Sequence, residues 1–321
     1  MSPPASPPRF RALAWGLLGY CLAVVVWGAF VRATGSGAGC GAHWPVCNGA
    51  VLPRAPTLET IIEYTHRLSS GLAGLGAVAL FVWGLRAHPR GHPVRLGVSL
   101  SLALMVLEGA LGAGLVKLEL VAHDASALRA FAMGAHLVNT FLLLGAQTLT
   151  CVWAGGGRGA LRLRGEGAAA GLLLASVAAL LLLGVSGAIA ALGDTLFPAQ
   201  SLAHGFAQDV GAGAHFLLRL RALHPLLAVV LGALIVASAA LVARARPTLP
   251  GVPGAARTLG LLYLLQLFAG VVNLVLLAPV AMQLAHLLLA DLVWIALVRL
   301  GAFALGAPAP APAPEAAAPA I

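Results

Sequence analysis

Three ionisable side chains stand together near the start of a long apolar stretch, in the segment Glu63-Tyr-Thr-His66-Arg67. Glu63 and His66 are three residues apart, so a helix would place them on one face. A carboxylate beside an imidazole can handle protons or support a metal ligand. Because charged groups inside a bilayer are costly, they mark a functional site by default. A plain ion pair between Glu63 and Arg67 is the alternative at this spacing.

The composition is typical of a polytopic membrane protein. Of the 321 residues, 60% are hydrophobic and 9% are charged, and the mean hydropathy is +0.96. Soluble domains contain about 25% charged and about 45–50% apolar residues. The net charge of +9 comes from basic residues spread over short loops, so it indicates membrane topology and not nucleic-acid binding.

Eight apolar stretches are long enough to cross a bilayer as helices, which takes about 20 residues. They cover residues 13–33, 61–84, 96–116, 131–153, 168–192, 222–243, 257–278 and 281–303. Arginine is concentrated in alternate loops, so the positive-inside rule places both termini in the cytoplasm and the long loops 34–60 and 193–221 outside. The first stretch has no cleavage site after it, and we expect it to be retained as a span.

The two halves of the chain resemble each other at a nearly constant offset. His66 aligns with His224 and His136 with His286, while Glu108-Gly-Ala-Leu-Gly aligns with Gln266-Leu-Phe-Ala-Gly. Four spans per half predict two four-helix bundles related by an axis along the membrane normal. The predicted division is a cytoplasmic N-terminus (1–12), an N-terminal half (13–153), a cytoplasmic linker (154–167), a C-terminal half (168–303) and a disordered Ala/Pro tail (304–321).

Four of the ten histidines, His66, His136, His224 and His286, lie inside spans two, four, six and eight. All four fall at a similar depth, near the outer ends of their spans. The other six, expected to be solvated or interfacial loop residues, are His43, His88, His92, His123, His204 and His215. Histidines that merely pack between helices explain this arrangement poorly, so we predict that the four bind a metal.

Two imidazoles from neighbouring helices, without a cysteine or carboxylate to complete a tetrahedral set, favour axial ligation of haem over zinc. The pattern therefore predicts two haem sites, one per half. Glu63 has no acidic counterpart, because Arg221 occupies the equivalent position. We interpret the first half as the chemical site and the second as a cofactor site. Glu108, aligned with Gln266, has either a hydrogen-bonding role between helices or a role in proton handling.

The first long loop carries two cysteines, Cys40 and Cys47, among glycine and proline turns. They face the predicted oxidising side, where a disulfide persists. Free thiols that react with a product or a partner are the alternative. Cys21 and Cys151 lie in spans and are interpreted as small buried side chains.

The segments Val31-Arg32-Ala-Thr-Gly-Ser-Gly-Ala-Gly-Cys40, Trp44-Pro-Val-Cys47-Asn-Gly and Glu63-Tyr-Thr-His66-Arg67 resemble the haem A synthase family. The resemblance extends to the eight spans, the repeat and the four histidines. It implies an oxidoreductase that converts the C8 methyl of haem O into the formyl of haem A through successive hydroxylations, for cytochrome c oxidase. It also implies the site residues: substrate-haem ligands His66 and His136, catalytic Glu63, haem b ligands His224 and His286, and a Cys40–Cys47 disulfide.

Some positions depart from the family pattern. Loop five lacks a second cysteine pair, span five lacks the Val-Arg of span one, and Pro225 follows His224 where arginine is usual. These three changes affect only the cofactor half. The fourth change, Glu108 in place of glutamine, lies in the catalytic half.

The resemblance further implies a multi-pass protein of the bacterial cell (inner) membrane with its active site toward the extracytoplasmic face. The expected partners are haem O synthase, a membrane electron donor or acceptor and cytochrome oxidase assembly factors, with a homo-oligomer also compatible. One rival function is a di-haem b electron-transfer subunit of a quinol-linked complex, which leaves Glu63 and the cysteine loop unexplained. The other is a transporter, which predicts Gly/Pro-broken spans at mid-membrane, whereas most prolines here lie in loops.

Overall fold

The computed structural model describes residues 5–156 and 158–308. Within those ranges the chain is almost entirely helical, and eight helices are long and apolar enough to cross a membrane. These eight coincide with the eight predicted spans, which confirms the all-α polytopic fold class. The α-helices are α1 (Pro8–Ala33), α2 (Leu58–Ala87), α3 (Pro93–Lys117), α4 (Ala127–Ala154), α5 (Gly167–Leu196), α6 (Leu202–Val210), α7 (Phe216–Ala245), α8 (Val252–Val275) and α9 (Val280–Leu305).

The long helices begin a few residues before the apolar stretches that predicted them, and polar caps extend four of them, α2, α3, α4 and α7. Thr57 accepts a hydrogen bond from the Thr60 amide at the start of α2, and Ser126 accepts one from the Arg129 amide at the start of α4. Such side chains satisfy amide groups that have no partner within the helix. The predicted N-terminal segment 1–12 is corrected for another reason. Helix α1 has no side-chain cap and starts at Pro8, since proline suits the first turn of a helix.

Two short strands, absent from the prediction, join the linker to the end of α9. Strand β1 (Arg158–Leu161) pairs antiparallel with β2 (Gly306–Pro308), with Arg158 opposite Pro308 and Leu161 opposite Gly306. The predicted disordered tail therefore starts too early: residues 304–305 continue α9, and residues 306–308 form β2. Backbone pairing with the linker satisfies their amide and carbonyl groups. Residues 309–321 of that predicted tail lie outside the described ranges.

Helices α4 and α9 form the centre of the molecule. They are the two most buried spans, and they contact each other as well as α1 and α5. The ring of Phe141 on α4 stacks on Trp294 of α9 with centroids 5.1 Å apart, and Gly145 leaves room for that indole. Around this pair, α1 packs on α2, α2 on α3 and α3 on α4, while α5 packs on α7, α7 on α8 and α8 on α9.

Arg32 links the two halves on the side of the bundle that carries residues 34–57 and 197–215, here called the long-loop face. From α1 its Nη1 donates to the carbonyl of Ala191 at 2.8 Å and to Thr195 Oγ1 at 2.6 Å, both on α5. Its Nη2 donates to Gln283 Oε1 of α9 at 2.8 Å. One side chain therefore fixes three helices relative to one another.

His88 and His92 are buried, contrary to the prediction of solvated loop residues. His88 Nε2 lies 2.8 Å from the hydroxyl of Ser6, its Nδ1 lies 3.0 Å from the carbonyl of Gly84, and the two imidazoles are 4.5 Å apart. The N-terminal segment folds over the loop between α2 and α3 and excludes water. Burial, together with neighbouring His88, lowers the pKa of His92.

Helix α6 is the other element that the sequence did not predict. It lies within the predicted loop 193–221 and is capped by Ser201, whose hydroxyl accepts from the amide of His204 at 3.1 Å. Its apolar residues Leu202 and Phe206 are exposed, and both line the cavity described below. Nine residues are too few for a span, which is why a search for apolar stretches passes over this helix.

Candidate active site

One cavity of about 2440 Å³ is lined by all four span histidines. His66 and His136 reach it from α2 and α4, and His224 and His286 reach it from α7 and α9. The helices start earlier than predicted, so the histidines lie about 9–14 Å along the helix axis from the starts of their helices. The structure therefore brings together every histidine that the sequence singled out.

A glycine on the preceding helix backs the first histidine of each half. A Cβ placed on Gly28 of α1 would lie 2.9 Å from Cε1 of His66, and one on Gly187 of α5 would lie 3.0 Å from Cε1 of His224. Both separations are too short for a methyl group. Gly28 and Gly187 occupy equivalent positions in the repeat, so the same contact sets the ring position in both halves.

The second histidine of each half has a related contact. A Cβ on Gly270 of α8 would lie 3.1 Å from Cε1 of His286, and one on Gly112 of α3 would lie 4.0 Å from Cε1 of His136. These two glycines are again equivalent in the repeat. Glycines of the neighbouring helices thus lie directly against the imidazoles.

The ring nitrogens differ in what they contact. Among the described residues, no protein group hydrogen-bonds to Nε2 of His66, His136 or His224, which leaves those nitrogens available as ligands. Nδ1 of His224 is held by the hydroxyl of Ser186 at 2.9 Å. Nε2 of His286 lies 3.1 Å from Gln266 Nε2, so iron binding there requires the amide to turn away.

The donor set fits haem better than a tetrahedral metal. Within residues 5–156 and 158–308, no group of three or more His, Cys, Asp or Glu side chains is placed to hold a metal ion. Two imidazoles in each half are what axial haem ligation needs. The cavity extends through both halves and includes both pairs.

Glu108 has a hydrogen-bonding role between helices. Its Oε2 accepts from Asn139 Nδ2 at 2.5 Å and its Oε1 accepts from Thr140 Oγ1 at 2.5 Å, which joins α3 to α4. The same Oε1 lies 3.7 Å from Nδ1 of His136. This separation is too long for a hydrogen bond, and it differs from the contact of the counterpart Gln266, which lies against Nε2 of His286.

Glu63 is buried, with only 3% of its surface exposed, and it connects α2 to the cysteine loop. Its Oε2 accepts from the backbone amide of Cys40 at 2.8 Å. Its Oε1 pairs with Arg67, whose Nε lies 3.1 Å away. The ion pair considered from the sequence does form, but it is a buried contact in the wall of the cavity and not a surface bridge.

The cysteine loop is attached to α2 at several points. Cys40 and Cys47 form a disulfide, as predicted. Arg67 Nη1 donates to the carbonyls of His43 at 2.7 Å and Val46 at 2.8 Å. The loop, the disulfide and the Glu63–Arg67 pair are therefore one hydrogen-bonded unit.

The C-terminal half has the opposite charge at this place. Arg221, equivalent to Glu63, pairs with Asp194 at 3.1 Å and with Asp209 of α6 at 2.6 Å. Its charge is neutralised by carboxylates, and it pins α6 to α5. An acid three residues before the histidine on the same helix thus occurs in one half only, as the repeat alignment predicted, while the C-terminal half has Asp194 and Asp209 on the cavity wall.

Two buried charged residues were missed from the sequence. Asp291 on α9 is fully buried, and neither carboxyl oxygen has a hydrogen-bond partner among the described residues. Arg129, with 3% of its surface exposed, lines the cavity near the start of α4. Asp291 could have been identified from the sequence, because an acid inside a predicted span is unusual. Arg129 could not, because arginines at the ends of spans commonly set the orientation of a membrane protein.

Comparison with known proteins settles the family. The model for COX15-CtaA, described as cytochrome oxidase assembly protein, matches residues 11–298. The chain belongs to the COX15-CtaA family. The matched residues include the cysteine loop, the Glu63 segment and the four histidines.

The individual relatives carry two different names. A Thermus thermophilus protein named protoheme IX farnesyltransferase is 52% identical over 297 residues, which is 92% of this chain and 48% of that protein. Heme A synthases are similar over shorter segments. The one from Alkalihalophilus pseudofirmus is 43% identical over 95 residues, 30% of this chain and 32% of the relative. The one from Geobacillus kaustophilus is 42% identical over 109 residues, 33% of this chain and 34% of the relative. The chain therefore spans about half the length of the Thermus relative.

Proposed function

We propose that the chain is a haem A synthase, an oxidoreductase that converts the C8 methyl of haem O into the formyl group of haem A. The observation that carries this proposal is the buried Glu63, bonded to Cys40 and Arg67 on the wall of the histidine-lined cavity. Family membership and the heme A synthase relatives support it. Glu63 lacks a counterpart in the other half, as expected if only one half performs chemistry.

In this proposal His66 and His136 hold the substrate, and Glu63 handles the protons that leave as the methyl carbon is oxidised. Arg67 and the Cys40 amide fix the carboxylate so that it cannot swing away from the cavity. Glu108 places its Oε1 3.7 Å from Nδ1 of His136, so its carboxylate helps to orient that imidazole. The disulfide loop covers Glu63 and limits the access of water to it.

His224 and His286 would hold haem b, which supplies one-electron transfer when bound. Ser186 fixes the ring of His224, and Gly187 and Gly270 set how close the neighbouring helices approach. Arg221 itself cannot accept a proton, and the carboxylates of Asp194 and Asp209 are both paired with it. This half is then suited to passing electrons to a membrane partner.

We also propose that the chain lies in the bacterial cell membrane with the long-loop face extracytoplasmic, and that haem O synthase is a partner. A disulfide on that face suits an oxidising compartment. The Thermus relative is named protoheme IX farnesyltransferase, and this chain matches 48% of it. A farnesyltransferase joined to a chain of this family would deliver the substrate directly.

Farnesyl transfer by this chain itself is a second candidate, raised by the name of the Thermus relative. Prenyl diphosphate chemistry uses Mg²⁺ held by carboxylates together with the phosphates. The family match over residues 11–298 favours haem A synthesis over farnesyl transfer for this chain.

Expression with and without haem O synthase tests the function. After purification, pyridine haemochrome spectra should show haem A only when haem O synthase is co-expressed. Haem b alone under both conditions would favour a di-haem electron carrier, and no haem would favour a transporter. Farnesylated haem formed by the purified chain from protohaem and farnesyl diphosphate would favour the transferase.

A further inference from the structure

Arg129 is a buried cation whose charge is not matched by an acid. Among the described residues its side chain bonds only through Nη1, to the carbonyls of Ala122 at 2.8 Å and Asp124 at 2.6 Å. Its Nε is buried without a partner. Because an uncompensated buried charge is costly, a buried arginine normally has an anion beside it.

Three other partly buried arginines of the described chain are paired with acids, whereas Arg95, outside the cavity lining, bonds only to backbone carbonyls as Arg129 does. Arg67 pairs with Glu63, Arg221 with Asp194 and Asp209, and Arg246 with Glu166. No carboxylate lies within ion-pair distance of Arg129 in the described ranges. Arg32 also lacks a carboxylate, but three hydrogen bonds to α5 and α9 satisfy it.

The nearest acid in sequence is already engaged. Asp124 accepts from the amide of Ser126 at 3.2 Å and from its hydroxyl at 2.8 Å. Ser126 in turn caps α4 through the amide of Arg129. The loop therefore holds the guanidinium in place by backbone carbonyls and leaves its charge available.

Arg129 lies on the cavity wall in line with a candidate ligand. It precedes His136 by seven residues on α4, which is two turns and about 10 Å toward the long-loop face. Seven residues also return to the same helix face, and both side chains line the cavity. This separation is comparable to the distance from a haem iron to the end of a propionate chain.

We infer that Arg129 binds a propionate carboxylate of the porphyrin held between His66 and His136, an inference that rests on the proposed function. A guanidinium presents a planar fork of donors that matches a carboxylate. The backbone carbonyls of Ala122 and Asp124 fix Nη1 and leave Nη2 without a hydrogen-bond partner among the described residues.

This contact sets the orientation of the substrate in its plane. In haem O the C8 methyl shares a pyrrole ring with a propionate. A propionate on Arg129 therefore turns the reactive methyl toward the long-loop face. Glu63 lies about 4.5 Å from His66 along α2 in that same direction. Arg129 thus decides which edge of the porphyrin meets Glu63.

The test compares protohaem IX with its dimethyl ester, which has no free carboxylates. The purified full chain is titrated with each porphyrin in a His224→Ala/His286→Ala background, so that the absorbance follows binding between His66 and His136 and not at the proposed haem b site. Arg129→Gln should weaken protohaem binding by about 10- to 100-fold, as expected for the loss of one charge-assisted contact. Binding of the dimethyl ester should not change. Arg129→Lys, which keeps the charge, should recover part of the loss.

Arg219→Gln is the matched control. Arg219 also bonds to the carbonyl seven residues before it, that of Ala212 at 3.0 Å, but it is exposed and outside the cavity lining. This variant should bind both porphyrins as the unmodified chain does. Equal weakening of both porphyrins by Arg129→Gln, or no weakening of protohaem, would overturn the inference. If the unmodified chain bound neither porphyrin, the proposed function would fail together with it.

Discussion

Glu63 Oε2 accepts a hydrogen bond from the backbone amide of Cys40 across 2.8 Å. This bond joins a buried acid in a membrane-spanning helix to a disulfide in a loop of the long-loop face. The position of the acid therefore depends on the fold of the loop, and the loop in turn is held by Arg67. A change in either part is expected to disturb the other.

Replacing Cys40 by serine should reduce both stability and conversion of haem O. Opening a loop of this size costs about 2–3 kcal/mol, and a looser loop no longer presents the Cys40 amide to Glu63. Thermal unfolding and the haem A yield on co-expression with haem O synthase measure the two effects. Cys151→Ala, at a buried free cysteine outside the loop, is the control, and full activity of the Cys40 variant would refute the dependence.

Gly28→Ala should lower haem content in the N-terminal half, and Gly187→Ala should lower it in the C-terminal half. The added methyl would lie 2.9 Å from the ring of His66 or 3.0 Å from the ring of His224 and would displace the imidazole from its present position. Haem content and low-spin spectra of the purified variants report the loss.

The same helices provide controls for these glycine variants. Gly19→Ala on α1 and Gly171→Ala on α5 place the methyl where no other group lies within 4 Å. Both should retain the haem content of the unmodified chain. Unchanged haem content in Gly28→Ala and Gly187→Ala would show that these contacts do not set ring position.

Asp291→Leu should raise the thermal stability of the protein. A fully buried carboxyl group without a hydrogen-bond partner destabilises the fold, and an apolar side chain of similar size removes that cost, by about 1–3 kcal/mol. Asp291→Asn keeps a buried polar group and should gain less. A loss of stability in the leucine variant would mean that Asp291 has a partner in the native protein.

Stability should also fall in mildly acidic solution because of His92. Burial and neighbouring His88 lower its pKa in the folded state, so the folded protein favours the neutral ring. The stabilisation is complete above the ordinary pKa of about 6.5 and is lost as the pH falls below it. Thermal unfolding between about pH 7.5 and pH 5 measures the loss, which His92→Gln should reduce, and an identical pH dependence in that variant would contradict the assignment.

Span position and the internal repeat were sufficient to predict the eight helices and to single out His66, His136, His224 and His286, whereas the single cavity that all four line was not predicted. Apolar length carries that information, since a bilayer demands it. Features held by local polar contacts were not predictable in this way. Helix α6 depends on the Ser201 cap and on Asp209 reaching Arg221, and strand β2 depends on pairing with a linker distant in sequence.

The charged residues of the site likewise include some that the sequence identified and some that it did not. Glu63 was identifiable because the repeat places Arg221 opposite it. Arg129 was not, because an arginine at the end of a span normally reports topology, and only its burial and its missing anion distinguish it. The prediction for His88 and His92 was wrong for a similar reason, since the segment that covers them is remote in sequence.

The central claim is that Glu63 performs chemistry and does not merely hold the loop. Glu63→Gln keeps the size of the side chain and an oxygen acceptor for the Cys40 amide. The variant is co-expressed with haem O synthase beside Glu59→Gln, which alters an exposed acid one turn earlier on α2, and the extracted haems are separated by chromatography. The account predicts that Glu63→Gln retains haem but accumulates haem O or a hydroxylated intermediate, while Glu59→Gln yields haem A. A normal yield of haem A from Glu63→Gln would contradict it.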